Sequence, residues 1–168
     1  KNNGYILLNN METKLYKTAW EDDIIMVEMG EEEIDAVPNP IPINVVYEDH
    51  DILLINKEPG IVVHPTRGHI NNTLANAIAY YWSSSGISCK IRFANRLDMD
   101  TSGLILIGKN KFAQQNIQEQ MIANKVKKIY WAFVEGILKE KEGTINAPIG
   151  RVQEGDIMRR VLEEGRNS

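Results

Sequence analysis

The 168-residue sequence contains a single cysteine, Cys89, so no disulfide can form within the chain. His64 and His69 have no cysteine partners at zinc-like spacing, and no metal centre is expected from them. No apolar run approaches the ~18 residues needed to cross a bilayer. No secretory signal is visible, so no membrane partner is expected and the chain is expected to be cytoplasmic. Neither a Gly-x-Gly-x-x-Gly loop nor a P-loop occurs, which leaves dinucleotide and nucleoside-triphosphate chemistry without a motif. Internal repeats and low-complexity segments are absent too.

What is present is ordinary globular composition, 43% hydrophobic and 25% charged. The length suits one domain with at most a small appendage, and a domain of this size buries roughly 70% of its unfolded-chain surface. The net charge of −4 looks unfavourable for a nucleic-acid partner. Its distribution is uneven, however. Residues 1–60 hold 4 Lys/Arg against 13 Asp/Glu, residues 61–135 hold 9 against 4, and residues 136–168 are balanced. The middle segment is therefore the basic one, and basic surface is what phosphate contacts require. Chance scatter of solvated charge is the alternative.

Tyr5-Ile6-Leu7-Leu8-Asn9 and Ile24-Ile25-Met26-Val27-Glu28-Met29 predict two strands, with Asn9-Asn10 as a turn. Residues 31–42 combine a run of acids with Pro38, Pro40 and Pro42 and predict a linker, after which a compact unit begins near Ile43. Val45-Val46-Tyr47 and Ile52-Leu53-Leu54-Ile55-Asn56 predict strands, and Lys57-Glu58-Pro59-Gly60 a tight turn. The apolar triplet Ile61-Val62-Val63 and His64-Pro65 follow. Thr73 predicts the N-cap of a helix with Leu74, Ala77, Ile78 and Tyr81 on one face, ended by Ser83-Ser84-Ser85-Gly86. Ile91-Arg92-Phe93-Ala94 predicts a short strand, and Leu104-Ile105-Leu106-Ile107-Gly108 is a second apolar run. Asn110 predicts the cap of a second helix over 111–125, with Lys125, Lys127 and Lys128 suiting the negative end of its dipole. Tyr130-Trp131-Ala132-Phe133-Val134 predicts a strand, and Pro148-Ile149-Gly150 a turn. Without a strict βαβ rhythm, the mixture predicts an α+β fold. The chain starts at Lys1 and stops in the polar run Glu163-Glu164-Gly165-Arg166-Asn167-Ser168, which predicts a fragment truncated at both ends.

Chemistry concentrates in Asn95-Arg96-Leu97-Asp98-Met99-Asp100-Thr101-Ser102-Gly103, a polar loop entering the apolar run at Leu104. Asp98 is ionised at neutral pH, with a reference pKa of about 3.9. Burial would raise that value, and a neighbouring guanidinium such as Arg96 would lower it. From residue type and spacing alone, Asp98 and Asp100 also read as plain loop acids. Thr101 and Ser102 lack a histidine nearby in sequence to activate them as nucleophiles.

This loop resembles the active-site signature of the pseudouridine synthases of the RluA type: His-Arg-Leu-Asp, two variable residues, Thr-Ser-Gly and an apolar strand. Only Asn95 departs, standing where the family usually has His. Lys128-Ile129-Tyr130-Trp131-Ala132-Phe133-Val134-Glu135-Gly136 resembles the family's Lys-x-Tyr-x-Ala-x-Val-x-Gly strand. Residues 47–65 resemble its first motif, with Pro59 one position later than usual. Together the three span about residues 43–152.

The resemblance implies a mixed, mainly antiparallel pseudouridine-synthase sheet with flanking helices, present in part. It implies a catalytic domain over 37–168, with Asp98 the catalytic carboxylate and Tyr130 the general base. Arg96, Asn95, Thr101, Ser102 and Gly103 are then the expected substrate-binding set, the last three also shaping the loop. Isomerising uridine to pseudouridine changes no oxidation state, so no cofactor and no metal is expected. The substrate implied is structured RNA, ribosomal RNA first and transfer RNA second, with the target base flipped out of its stack. Arg67, Lys90, Arg92, Lys109 and Lys111 would track its backbone, extended by Arg151, Arg159 and Arg160. Residues 1–36 resemble the second half of an S4-type RNA-binding domain plus a linker, with an ordinary hairpin as the alternative. The family's third motif, of His-Gln-Ile-Arg type, does not occur in the sequence. That absence predicts a weak or inactive isolated chain, and keeps open a non-catalytic RNA-binding or ribosome-associated module. A small-molecule hydrolase using Asp98 is the third reading. Nothing in the sequence bears on oligomeric state.

Overall fold

A computed structural model describes residues 5–14, 16–28, 30, 32–66, 70–152 and 158–162. Arg67 and His69 lie outside the described residues. The chain divides into two compact units, Lys1–Lys127 and Lys128–Ser168.

The first unit opens with a three-stranded antiparallel sheet of β1 (Tyr5–Leu8), β2 (Met11–Thr13) and β3 (Ile25–Glu28), in the order β2-β1-β3. Asn9 and Asn10 both take positive φ, 51° and 64°, as a tight two-residue hairpin turn demands. The Asn9 side chain then ties the turn to β3. It accepts from Ile24 N–H at 2.9 Å and donates to Asp23 Oδ1 at 2.7 Å.

The larger sheet contains β4 (Asn44–Glu48), β5 (Ile52–Lys57), β6 (Arg92–Phe93) and β7 (Gly103–Gly108), all antiparallel, in the order β4-β5-β7-β6. The Asp49 carboxylate sets the β4–β5 turn by accepting from the N–H groups of Asp51 and Ile52, each at 2.8 Å. Alternation then sorts the side chains. Leu53 and Ile55 of β5, with Ile105 and Ile107 of β7, point into a core shared with Val63, Leu74, Ile78, Trp82 and Ile91. Each such large apolar side chain contributes about 1.5–3 kcal/mol on burial.

Helix α1 (Leu74–Ser84) covers this core. Its N-cap Thr73 and Asn76 form a reciprocal capping box, and the Leu74 and Ala75 N–H groups donate to the Val62 and Val63 carbonyls at 2.8 and 3.1 Å. The apolar triplet 61–63 is thus irregular chain that satisfies the helix start. Helix α2 (Lys111–Ile122) begins at its expected cap, Asn110, whose side chain accepts from Ala113 N–H at 2.8 Å. It stops three residues short of 125, where Asn124 turns to a φ of 54°, a left-handed ending that asparagine tolerates.

The described part of the stretch expected as a linker is irregular but fastened at several points. Ile34 and Ala36 pack on the core, as does Ile43 just beyond it. Asn76 donates to Val37 O at 2.8 Å, Asn39 N–H to Asn76 O at 3.0 Å, and Ile91 N–H to Asp35 Oδ1 at 3.2 Å.

In the second unit, β8 (Ile149–Gly150) pairs with β9 (Arg160–Val161). The strand expected over 130–134 does not form. Tyr130 is 60% exposed, Trp131 93% and Phe133 101%. Apolar alternation marks which face a strand would bury but supplies no ladder, and among the described residues of this unit only β8 and β9 pair. The α+β class and the antiparallel sheet are as expected.

Candidate active site

Alternation along β5 does more than fill the core. Lys57 follows Leu53 and Ile55 at the same inward parity, and is 1% exposed. An amine so placed must find acceptors. Lys57 Nζ donates to the carbonyls of Glu58, Ile61 and Met99, each at 2.9 Å. Burial lowers the pKa of the Lys57 amine, against the opposing pull of Asp100, then Asp98, then Glu58. Two acids of the 95–103 loop therefore act on a cation set beneath it.

The loop is held at its backbone. The Met99 carbonyl accepts from Gly60 N–H at 2.9 Å as well as from Lys57. Thr101 N–H donates to Asp98 O at 3.2 Å. Asn95, in the position of the signature's histidine, spends its whole amide on β7, donating to Leu104 O at 3.0 Å and accepting from Leu106 N–H at 2.9 Å. Gly103, opposite Lys57 in the ladder, starts β7 at φ 131°, a conformation that favours glycine. These contacts leave the side chains of Arg96, Asp98, Asp100 and Ser102 exposed, with Thr101 half-buried. Arg96 makes no ion pair with Asp98 among the described residues. Tyr130 belongs to the second unit.

Four of the cations expected to meet phosphate are already partnered. Arg92, 5% exposed, pairs with Glu32, which also takes Lys111 at 3.3 Å. Lys90 meets Asp35 at 3.7 Å. Lys109 meets Glu48 at 3.0 Å and Asp49 O at 2.7 Å. Burial raises the Glu32 carboxyl, but Arg92 and Lys111 outweigh it and hold the group below its ordinary range. Glu48 behaves likewise, with burial overcome by Tyr81, Lys109 and Trp82. The acidic first third of the sequence thus neutralises the basic middle, and these four cations do not form the free phosphate track expected of them. Lys90 and Lys111 are exposed though paired, whereas Arg96, Lys125, Lys127, Arg151, Arg159 and Arg160 are exposed and make no ion pair among the described residues.

Sequence reading passed over Lys57 as part of a turn. Its signal was available: a lysine two residues after Ile55, continuing the inward series of a strand, must be buried with partners.

The family profile described as RNA pseudouridylate synthase matches residues 51–167. The chain belongs to the RNA pseudouridylate synthase family. It is 37% identical over its whole length to an uncharacterized RNA pseudouridine synthase, YhcT, of Bacillus subtilis (strain 168), covering 54% of that protein. To the ribosomal large subunit pseudouridine synthase D of Blochmanniella floridana it is 43% identical over 118 residues, 70% of this chain and 37% of that one. The structure of human RNA pseudouridylate synthase domain containing 1 aligns with a TM-score of 0.53 and 28% identity, over 66% of this chain and 40% of that one. Human RNA pseudouridylate synthase domain containing 4 gives a TM-score of 0.54 at 20% identity over 74% of this chain and 49% of that one, and supports the fold alone. The chain spans about half the length of the curated relatives it matches in full. The matched region runs from the β4–β5 turn onward and includes the whole of the Lys57 and Asp98 arrangement.

Proposed function

We propose that the protein isomerises uridine to pseudouridine in structured RNA, with Asp98 as the catalytic carboxylate. In this reaction the N1–C1′ bond of uridine breaks, C1′ bonds to C5, the C5 proton is lost, and N1 takes up a proton. A carboxylate serves because it is anionic at neutral pH and can stabilise or trap the ribose carbon while the base turns. Family membership supports the reaction class. The observation that carries the assignment is the loop itself, gripped by Lys57, Gly60 and Asn95 at backbone and flank while the Asp98 side chain stays open to solvent. Tyr130 is the proposed general base for the C5 proton. Arg96, Asn95, Thr101, Ser102 and Gly103 are the proposed substrate-side set, Asn95 and Gly103 acting through loop geometry. Ribosomal RNA is the proposed substrate, on the strength of relatives named as ribosomal large subunit enzymes. The small sheet at the N-terminus is proposed as part of an S4-like RNA-binding module.

The test is tritium release from 5-tritiated uridine in RNA by the full-length protein. Asp98→Asn is expected to abolish release while retaining RNA affinity. Unchanged release would remove Asp98 from the mechanism. No release by the wild type, with RNA still bound, would favour a non-catalytic RNA-binding module.

A further inference from the structure

Extruding a base leaves its neighbour in the strand with an open face, and a protein that supplies an aromatic plane there stabilises the opened RNA. An aromatic ring close enough to Arg96 to feel its charge, two residues before Asp98 in the chain, offers such a plane. The 58–66 segment leaves β5 after Lys57, and the 95–102 loop enters β7 at Gly103, the residue paired with Lys57. Both emerge at one end of the sheet. In the first of them the His64 ring is exposed, yet meets the Phe93 ring edge to face, with centroids 4.6 Å apart and planes at 75°. Phe93 is half-buried against the core, pairs with Ile107 of β7, and leads through Ala94 and Asn95 to Arg96 and the Asp98 loop. The backbone under His64 is fixed too, because the Val62 and Val63 carbonyls accept from the first N–H groups of α1.

Burial and the nearby Arg96 charge lower the pKa of His64, against an opposing pull from Asp35. The imidazole is therefore poorly suited to act as a cation toward phosphate, a part that Arg96 can take beside it. A neutral, rigid, exposed ring next to an arginine is the pairing by which single-stranded bases are gripped through a face and the adjoining phosphate through a charge.

We propose that His64, braced by Phe93, stacks on the nucleobase adjacent to the target uridine in bound RNA. This rests on the isomerase reading of the Asp98 loop. The test uses the full-length protein and an RNA hairpin with 2-aminopurine placed on either side of the target uridine. With wild type, fluorescence from one of the two positions is quenched on binding. With His64→Ala that quench is lost and KM for the hairpin rises about 5- to 150-fold, the loss falling on KM rather than kcat. His64→Phe restores both. An abasic site at the quenched position weakens wild type to the level of His64→Ala and weakens His64→Ala no further. If His64→Phe fails alongside His64→Ala, or the abasic site and the alanine variant multiply their effects, the stacking role is wrong. The quench and the abasic cycle need only binding, so they stand apart from turnover: a stacked but unconverted RNA would strike the isomerase reading alone. A wild type that binds no RNA overturns both.

Discussion

At the residue scale, Lys57 shows how a strand's alternation can serve a loop. Its ammonium replaces a core side chain and gathers three carbonyls, one of them from the residue after Asp98. Lys57→Met keeps the length and removes the donors. Replacing a buried charge by an apolar group can be close to neutral for stability, but each freed carbonyl loses a partner. The expected cost is about 1–3 kcal/mol in urea unfolding. In single turnovers of the full-length protein the rate at saturating RNA should fall at least about ten-fold with RNA affinity kept, since misplacing a reacting group is expensive. A loss of rate no larger in Lys57→Met than in an equally destabilised core variant would deny Lys57 this positioning role. Gly103→Ala is a second case. Its φ of 131° strains any side chain although the nearest atom to the new Cβ, Leu97 Cδ1, is 3.7 Å away. The variant should lose about 1–2 kcal/mol through backbone conformation, with no clash to relieve by trimming Leu97.

At the scale of elements, what the sequence made legible was local. Thr73 and Asn110 announced their helices because a cap and the amides it serves lie within three residues of each other. Asn9-Asn10 announced a hairpin for the same reason. The strand expected at Tyr130 failed because a ladder is made by a partner that no window of sequence contains. The acidic stretch before β4 was legible as irregular and illegible as fastened, since its partners lie about 60 residues on, with Arg92 60 residues from Glu32 and Ile91 56 from Asp35. That fastening has a pH signature. The folded pKa of Glu32 lies below its ordinary value of about 4.5, so between the two values the unfolded chain binds more protons and stability rises with pH. Its contribution is complete above about 4.5 and disappears as pH falls through the folded value. Glu32→Gln should destabilise the chain at pH 7 and flatten the acid limb of a stability–pH curve. An acid limb as steep as wild type would mean that the Arg92 pair adds nothing.

At the scale of the molecule, charges far apart in sequence cancel in space. The carboxylates of Glu32, Asp35 and Glu48 occupy Arg92, Lys111, Lys90 and Lys109, so counting charge by segment overstated what RNA can meet. The salt dependence of RNA binding should follow instead the exposed cations that make no ion pair among the described residues. Arg96→Gln is expected to reduce the slope of log affinity against log salt by about 0.7–1, and Lys111→Gln to leave it unchanged. A drop in slope for Lys111→Gln would show that RNA displaces Glu32.

The grip on the Met99 carbonyl has a consequence for how such a loop can diverge. What Lys57 and Gly60 recognise at position 99 is a peptide oxygen, common to every amino acid. Side-chain substitution at that position therefore leaves both donors their acceptor. At position 99 itself, only an edit to the main chain reaches the contact. Replacing the Met99–Asp100 amide by an ester, which weakens the carbonyl as an acceptor and leaves every side chain in place, would loosen the Asp98 loop in a way that side-chain substitution at position 99 cannot.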